Sequence, residues 1–223
     1  MTHDQVDTAV FDVDGTLVDT NYHHALSWYR AFRRFDVVLP VWRLHRAIGM
    51  GGDNLVAHVA DQDVERRLGE ELRSAWEEEF NQLVPEVSAF AGARELLAEV
   101  KSRGLRLVLA SSGKREHTEA FLDLLDGKYI ADAWTTSDDV EASKPAPDLV
   151  SVAMEKVGGT RAVMIGDSVW DAISARQVGV PTIAVRTGGF STAELRDAGA
   201  EWVFDSLEEL RDDIEKTPLG SGG

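Results

Sequence analysis

Phe11-Asp12-Val13-Asp14-Gly15-Thr16-Leu17-Val18-Asp19-Thr20 begins where an apolar run ends and continues into carboxylate and hydroxyl side chains. Residues 8–11, just before it, are apolar and β-branched enough to read as a buried strand. Two carboxylates therefore stand two positions apart at a strand terminus, and Gly15 permits a sharp turn directly after them. One aspartate at such a place is an ordinary acidic turn. The whole ten-residue pattern asks for chemistry: a dehydrated carboxylate held beside a divalent cation can attack phosphorus. A second carboxyl, if protonated, can hand its proton to the departing alcohol and later take one from water. An unperturbed aspartate is ionised at neutral pH, so Asp14 is expected to need a raised pKa, supplied by the neighbouring carboxylate and by closure over the site.

Outward from this segment, short apolar runs at residues 105–110, 162–165 and 182–185 read as further strands buried on both faces, with a weaker one at 202–204. Helical stretches at 93–102, 116–125, 147–157 and 170–178 lie between most of them. Strands alternating with helices predict a doubly wound α/β parallel sheet. The interval after the first strand breaks the alternation. Between residue 19 and about residue 86 only helical periodicity appears: Val64, Leu68, Leu72, Trp76 and Phe80 recur every fourth residue, and Ala25, Trp28, Phe32 and Phe35 follow nearly the same rule. The expected organisation is an α/β core of residues 1–19 and 87–217, an inserted all-helical cap of residues 20–86, and a flexible tail of residues 218–223. Ligands of open α/β sheets bind beyond the carboxyl ends of the strands, and the insert leaves from that edge.

Composition narrows the partners. The formal charge of −16 disfavours nucleic acid and anionic membranes, whose affinity depends on Lys and Arg neutralising phosphates. No cysteine is present, which removes disulfides, thiolate metal sites and a cysteine nucleophile. The start, MTHDQVDTAVF, has neither a basic leader nor a long apolar run, and no stretch approaches the ~20 apolar residues of a membrane span. A cytoplasmic protein is expected.

Three later segments carry further polar chemistry. Leu107-Val-Leu-Ala-Ser111-Ser112-Gly113 ends a strand in hydroxyls and backbone N–H groups, a natural cradle for phosphate oxygens, although a helix N-cap gives the same pattern. Ser143-Lys144-Pro145-Ala146-Pro147-Asp148 fixes an ammonium just ahead of two prolines. Ile165-Gly166-Asp167-Ser168-Val169-Trp170-Asp171 again ends a strand in carboxylates.

In this order the four segments resemble the motifs of the haloacid dehalogenase superfamily in its phosphatase and phosphomutase form with a small helical cap. The resemblance spans the core. It implies that Asp12 is the nucleophile and Asp14 the acid–base residue. It also implies that Ser111, Ser112, Gly113 and Lys144 hold the phosphoryl group. Mg²⁺ would be bound by the Asp12 and Asp167 carboxylates and the Asp14 carbonyl, with Asp171 a partner of Lys144 or a first-turn helix acid. Thr16 and His24 are supporting candidates, His24 chiefly as a hydrogen-bonded residue near the cap hinge. Glycines in Ile48-Gly49-Met50-Gly51-Gly52-Asp53-Asn54 are either a loop approaching the substrate or a joint between helices. Arg30, Arg33, Arg34, Arg43 and Arg46 are expected mostly in surface pairs, with one available to a substrate. The first lysine is Lys101, so the cap lacks the lysine that phosphonate-cleaving relatives use for a Schiff base.

The expected function is Mg²⁺-dependent hydrolysis of a small phosphorylated metabolite through an aspartyl-phosphate. A β-phosphoglucomutase-like sugar-phosphate mutase and a non-catalytic phosphosugar-binding protein are the alternatives.

Overall fold

The computed structural model describes residues 5–221. Its sheet has six strands, β1 (Thr8–Asp12), β2 (Arg106–Ala110), β3 (Ala133–Thr135), β4 (Ala162–Gly166), β5 (Thr182–Val185) and β6 (Ala200–Phe204), in spatial order β3-β2-β1-β4-β5-β6. Every pairing is parallel, as the alternating pattern predicts. β1 lies between β2 and β4, so all five of its residues are buried and none is spared for solvent. Side chains alternate across it. Ala9 and Phe11 join Leu109 and Ile165 under α5 (Ala93–Ser102) and α6 (Arg115–Leu124), whereas Val10 joins Val108 and Met164 under α8 (Asp148–Val157) and α9 (Val169–Gln177).

Between β1 and α5 the described chain is helical: α1 (Asn21–Arg34), α2 (Val41–His45), α3 (Gly52–Val59) and α4 (Gln62–Leu83). The four-residue spacing read from the sequence places Leu72 and Phe80 of α4 in the interior, and Ala25, Trp28 and Phe32 of α1 with them. This insert has its own apolar cluster, including Trp28, Phe32, Leu55 and Leu72. Two chain segments join it to the sheet and are hydrogen-bonded side by side, Asp19 N–H to Ser88 O and Phe90 N–H to Leu17 O, both at 2.9 Å. Trp76 packs against the insert's cluster and against the cluster beneath β1.

Three features escaped the sequence reading. β3, which follows the one-turn helix α7 (Gly127–Ile130), is only three residues at the sheet edge, with Trp134 half-buried, too short for periodicity to show. The short helices α10 (Thr192–Ala198) and α11 (Leu207–Asp212) start at Ser191 and Ser206, whose hydroxyls accept from the Glu194 and Glu209 N–H groups. The expected flexible tail is corrected in part: Pro218–Ser221 forms a 3-10 turn and Leu219 is fully buried in the main cluster, an apolar gain that outweighs the small residues around it. The last two residues of that tail lie outside the described chain.

Candidate active site

The carboxyl ends of β1, β2 and β4 converge on one point. Asp12 ends β1 in register with Ala110, so Ser111 follows one residue beyond the neighbouring strand. Phe11 is in register with Ile165, which brings Asp167 to the other side. Gly15 has φ +80, and a Cβ there would stand 2.4 Å from the Asn21 amide, so the turn after Asp14 excludes other residues.

Lys144, 1% exposed, lies between two carboxylates: its Nζ is paired with Asp12 Oδ1 and stands 2.7 Å from Asp171 Oδ1. Asp171 Oδ2 accepts from the Ser168 hydroxyl (2.6 Å) and N–H (3.0 Å), closing a capping box at the start of α9. Both readings of Asp171, lysine partner and helix-end acid, thus describe one residue. Thr16 Oγ1 is 2.8 Å from Asp167 Oδ1 and 3.1 Å from Asp12 Oδ2, tying the two carboxylates together. Asn21 donates to Asp167 Oδ2 at 2.7 Å. A Cβ at Gly188 would fall 1.9 Å from that oxygen, so the loop after β5 backs the site at van der Waals contact. Neither Asn21 nor Gly188 was found from the sequence. Nothing about an Asn at the start of a helix or a Gly after a strand signals a contact made across the fold.

Asp14 is held by two partners: Ser111 Oγ donates to Oδ2 at 2.7 Å and His24 Nε2 lies 3.1 Å from Oδ1. The expected rise of its pKa is contradicted. Burial does push the carboxyl up, but the hydrogen bond and charge of His24 and the Ser111 hydroxyl outweigh it, and the net direction is down. Ser111 serves Asp14 and accepts from Gly113 N–H (2.9 Å), whereas Ser112 Oγ has no partner. His24 stacks on Phe80 at 4.0 Å, and Phe80 meets His117 edge-on at 5.0 Å, so an aromatic run links the insert to α6.

The charges do not balance. Asp12, Asp14, Asp167 and Asp171 surround a single ammonium. Burial pushes the Asp12 carboxyl up, against Lys144 and with the neighbouring aspartates. Burial and Asp171 push Asp167 up to about 7, and Lys144 is held well above its usual range by the same carboxylates despite its burial. Asp12, Asp167 and Asp171 each offer an oxygen within 4.8 Å of the others. An all-oxygen set with excess negative charge, withdrawn from water, fits a hard divalent cation.

Above this cluster lies a cavity of about 360 Å³, whose lining includes Asp12, Asp14, Lys144, Ser112 and Gly113 from the core and Trp28, Trp76 and the loop from Ile48 to Asp53 from the insert. The glycine loop is a joint between helices that also lines the cavity: Gly51 precedes α3, and a Cβ on it would meet Ser143 Oγ at 2.2 Å. Asn54 donates to Ser143 Oγ (3.1 Å) and Asp53 accepts from it. None of the five singled-out arginines lines the cavity. Arg34 pairs with Glu78 at 2.6 Å, and Arg46 lies over the Phe190 ring at 3.9 Å and pairs with Glu194. The arginine that does line it is Arg73, masked in the sequence by the acid-rich face of α4.

Residues 9–185 match the family described as haloacid dehalogenase-like hydrolase. The chain is 33% identical to a phosphoglycolate phosphatase of Caulobacter vibrioides over 91% of its own length and 88% of that protein. It is 25% identical to the pyrophosphatase PpaX of Oceanobacillus iheyensis, covering 91% of this chain and 94% of the relative. A hydrolase from Pseudomonas syringae superposes with a TM-score of 0.88 at 30% identity, over 94% of this chain and 98% of that one.

Proposed function

Because this chain belongs to the haloacid dehalogenase-like hydrolase family, we propose that it is a divalent-cation-dependent phosphatase of small phosphomonoesters with Asp12 as nucleophile. The observation that carries this reading is the buried contact of Asp12 with Lys144 at the floor of a cavity, beside Thr16 and Asp167.

Asp12, Asp167 and the Asp14 carbonyl are the proposed holders of Mg²⁺, with Asp171 in reach. When bound, the ion would neutralise phosphate charge and keep Asp12 ionised in a buried site. Lys144 holds a second positive charge against the transferring group. Asp12 Oδ attacks phosphorus in line, the ester P–O bond breaks, and an aspartyl-phosphate forms. Asp14 protonates the departing alkoxide. His24 and Ser111 keep Asp14 ionised at rest; a bound phosphate's negative charge supplies the upward push, and Asp14 takes up a proton from water before the ester bond breaks. Once it has given that proton away, its carboxylate takes one from water as the water oxygen attacks phosphorus; the P–O bond to Asp12 breaks, phosphate leaves and the Asp12 carboxylate is restored. Ser112 and Gly113, at the cavity wall, orient phosphoryl oxygens, and Ser111 acts through Asp14. The insert opens and closes over the site, turning on the paired segments at Leu17–Asp19 and Ser88–Phe90.

No observation favours the mutase or the non-catalytic reading over hydrolysis. The test is phosphate release from a panel of small esters with Mg²⁺ or EDTA, native against Asp12→Asn. Metal-dependent release that disappears in the variant is expected. Release that survives the substitution overturns the nucleophile assignment.

A further inference from the structure

Given the phosphatase reading, the far end of the cavity limits which alcohol can leave. The apolar part of its wall is Trp28 and Trp76, stacked at 5.4 Å, together with Ile48, Met50, Leu55 and Val140. Apart from Lys144, and His24, which is paired with Asp14 at 3.1 Å, its lining holds two cations, and each is already matched. Arg73 Nη1 donates to both Glu65 oxygens at 2.9 and 3.1 Å and to Gly52 O at 3.2 Å. Lys114 Nζ is 2.5 Å from Glu77. Two carboxylates line the same cavity with no cation paired to them among the described residues: Asp53, which accepts from the Ser143 hydroxyl, and exposed Glu141.

A second anionic group on the substrate would enter this chamber without a free counter-charge, beside two carboxylates, and would lose water against tryptophan and aliphatic walls. An unpaired charge in such surroundings is costly. A neutral alcohol meets no such penalty. Its hydroxyls find acceptors in Asp53 and Glu141, and its C–H face finds the indoles. The volume is within the ~300–1,000 Å³ of small-molecule sites, room for more than a two-carbon leaving group.

We infer that the substrate is the phosphate monoester of an uncharged, ring-sized alcohol with one apolar face, and that carboxylate-bearing esters, bisphosphates and pyrophosphate are poor substrates.

The experiment compares kcat/KM of the Mg²⁺-loaded native protein for cyclohexyl phosphate and glucose 6-phosphate with that for phosphoglycolate and glucose 1,6-bisphosphate. Neutral leaving groups should lead by about tenfold or more. In Glu65→Gln, which releases Arg73 from its partner, that lead should shrink severalfold. Equal or greater kcat/KM for the anionic pair overturns the inference while leaving the phosphatase reading intact. No turnover of any ester sinks the phosphatase reading instead. In that case the same four esters, ranked by thermal shift on Asp12→Asn with Mg²⁺, still report the chamber's preference. A flat or reversed ranking overturns it, and a neutral-first ranking upholds it.

Discussion

Replacing Lys144 by Met keeps the bulk of the side chain and removes the only ammonium from a cluster of buried carboxylates. In the native protein its Nζ touches Asp12 and stands 2.7 Å from Asp171, with all three side chains at most 4% exposed. Breaking a buried pair by deleting one partner costs about 3–5 kcal/mol, because the remaining charge is stranded. For a chain of this size each kcal/mol lowers the melting temperature by roughly 2–4 °C, so a fall of roughly 6–20 °C is expected at pH 8. The sign with pH follows from Asp12. Its folded-state pKa lies above the unfolded value and rises further once Lys144 is gone. Stability tied to such a group is intact below the unfolded pKa, ~3.9, and is lost as pH rises through the folded one. The gap between native and variant should therefore be smaller at pH 5 than at pH 8. Calorimetry in EDTA at both pH values reads this directly, and adding Asp171→Asn to Lys144→Met should return about 1–3 kcal/mol. Turnover should fall on the order of 10²–10³-fold, as when one transition-state donor is removed. A variant that melts within about 2 °C of native at both pH values would show that Lys144 is not balancing buried charge, and would refute the reasoning.

Two other outcomes can be checked. Cysteines introduced as Asn54→Cys and Ser143→Cys are unique in this chain, and a reducible crosslink between them should stop turnover until a reductant is added; full activity in the crosslinked state would sink the moving cap. Asp7 accepts from Thr160 Oγ1 (2.6 Å), Thr8 Oγ1 (2.7 Å) and the N–H groups of Thr160 (3.1 Å) and Arg161 (3.2 Å). Burial pushes its carboxyl up but these bonds prevail, holding it far below the usual range, so its contribution is present above pH ~3.9 and fades as pH falls. Asp7→Asn should cost about 1–3 kcal/mol in urea unfolding at pH 7 and less at pH 3; an equal loss at both would exclude the charge as the cause.

The sheet and the insert were legible because each rests on local pattern. Four apolar runs are inner strands of a parallel sheet, buried on both faces, so they needed no partner to be recognised, whereas the edge run at 202–204 is only partly buried and three-residue β3 carries too little pattern and needed its neighbour. α1 and α4 announced themselves by four-residue spacing because each buries one stripe against the other. Asp12, Asp14, Lys144 and Asp167 were legible because a strand end, a glycine turn and flanking prolines mark their places in the chain. Other properties depend on residues far apart in sequence meeting in space. Asn21 and Gly188 back Asp167 from different loops. The lowered pKa of Asp14 comes from His24, ten residues on, and Ser111, ninety-seven residues on. Arg73 is one of many charges on α4 until folding sets it at the cavity beside Glu65. The sequence alone determined the fold and which polar segments stand at the ends of its strands. Tertiary structure decided how those segments are charged and what lines the cavity above them, because desolvation and Coulomb interaction depend on distance through space rather than along the chain.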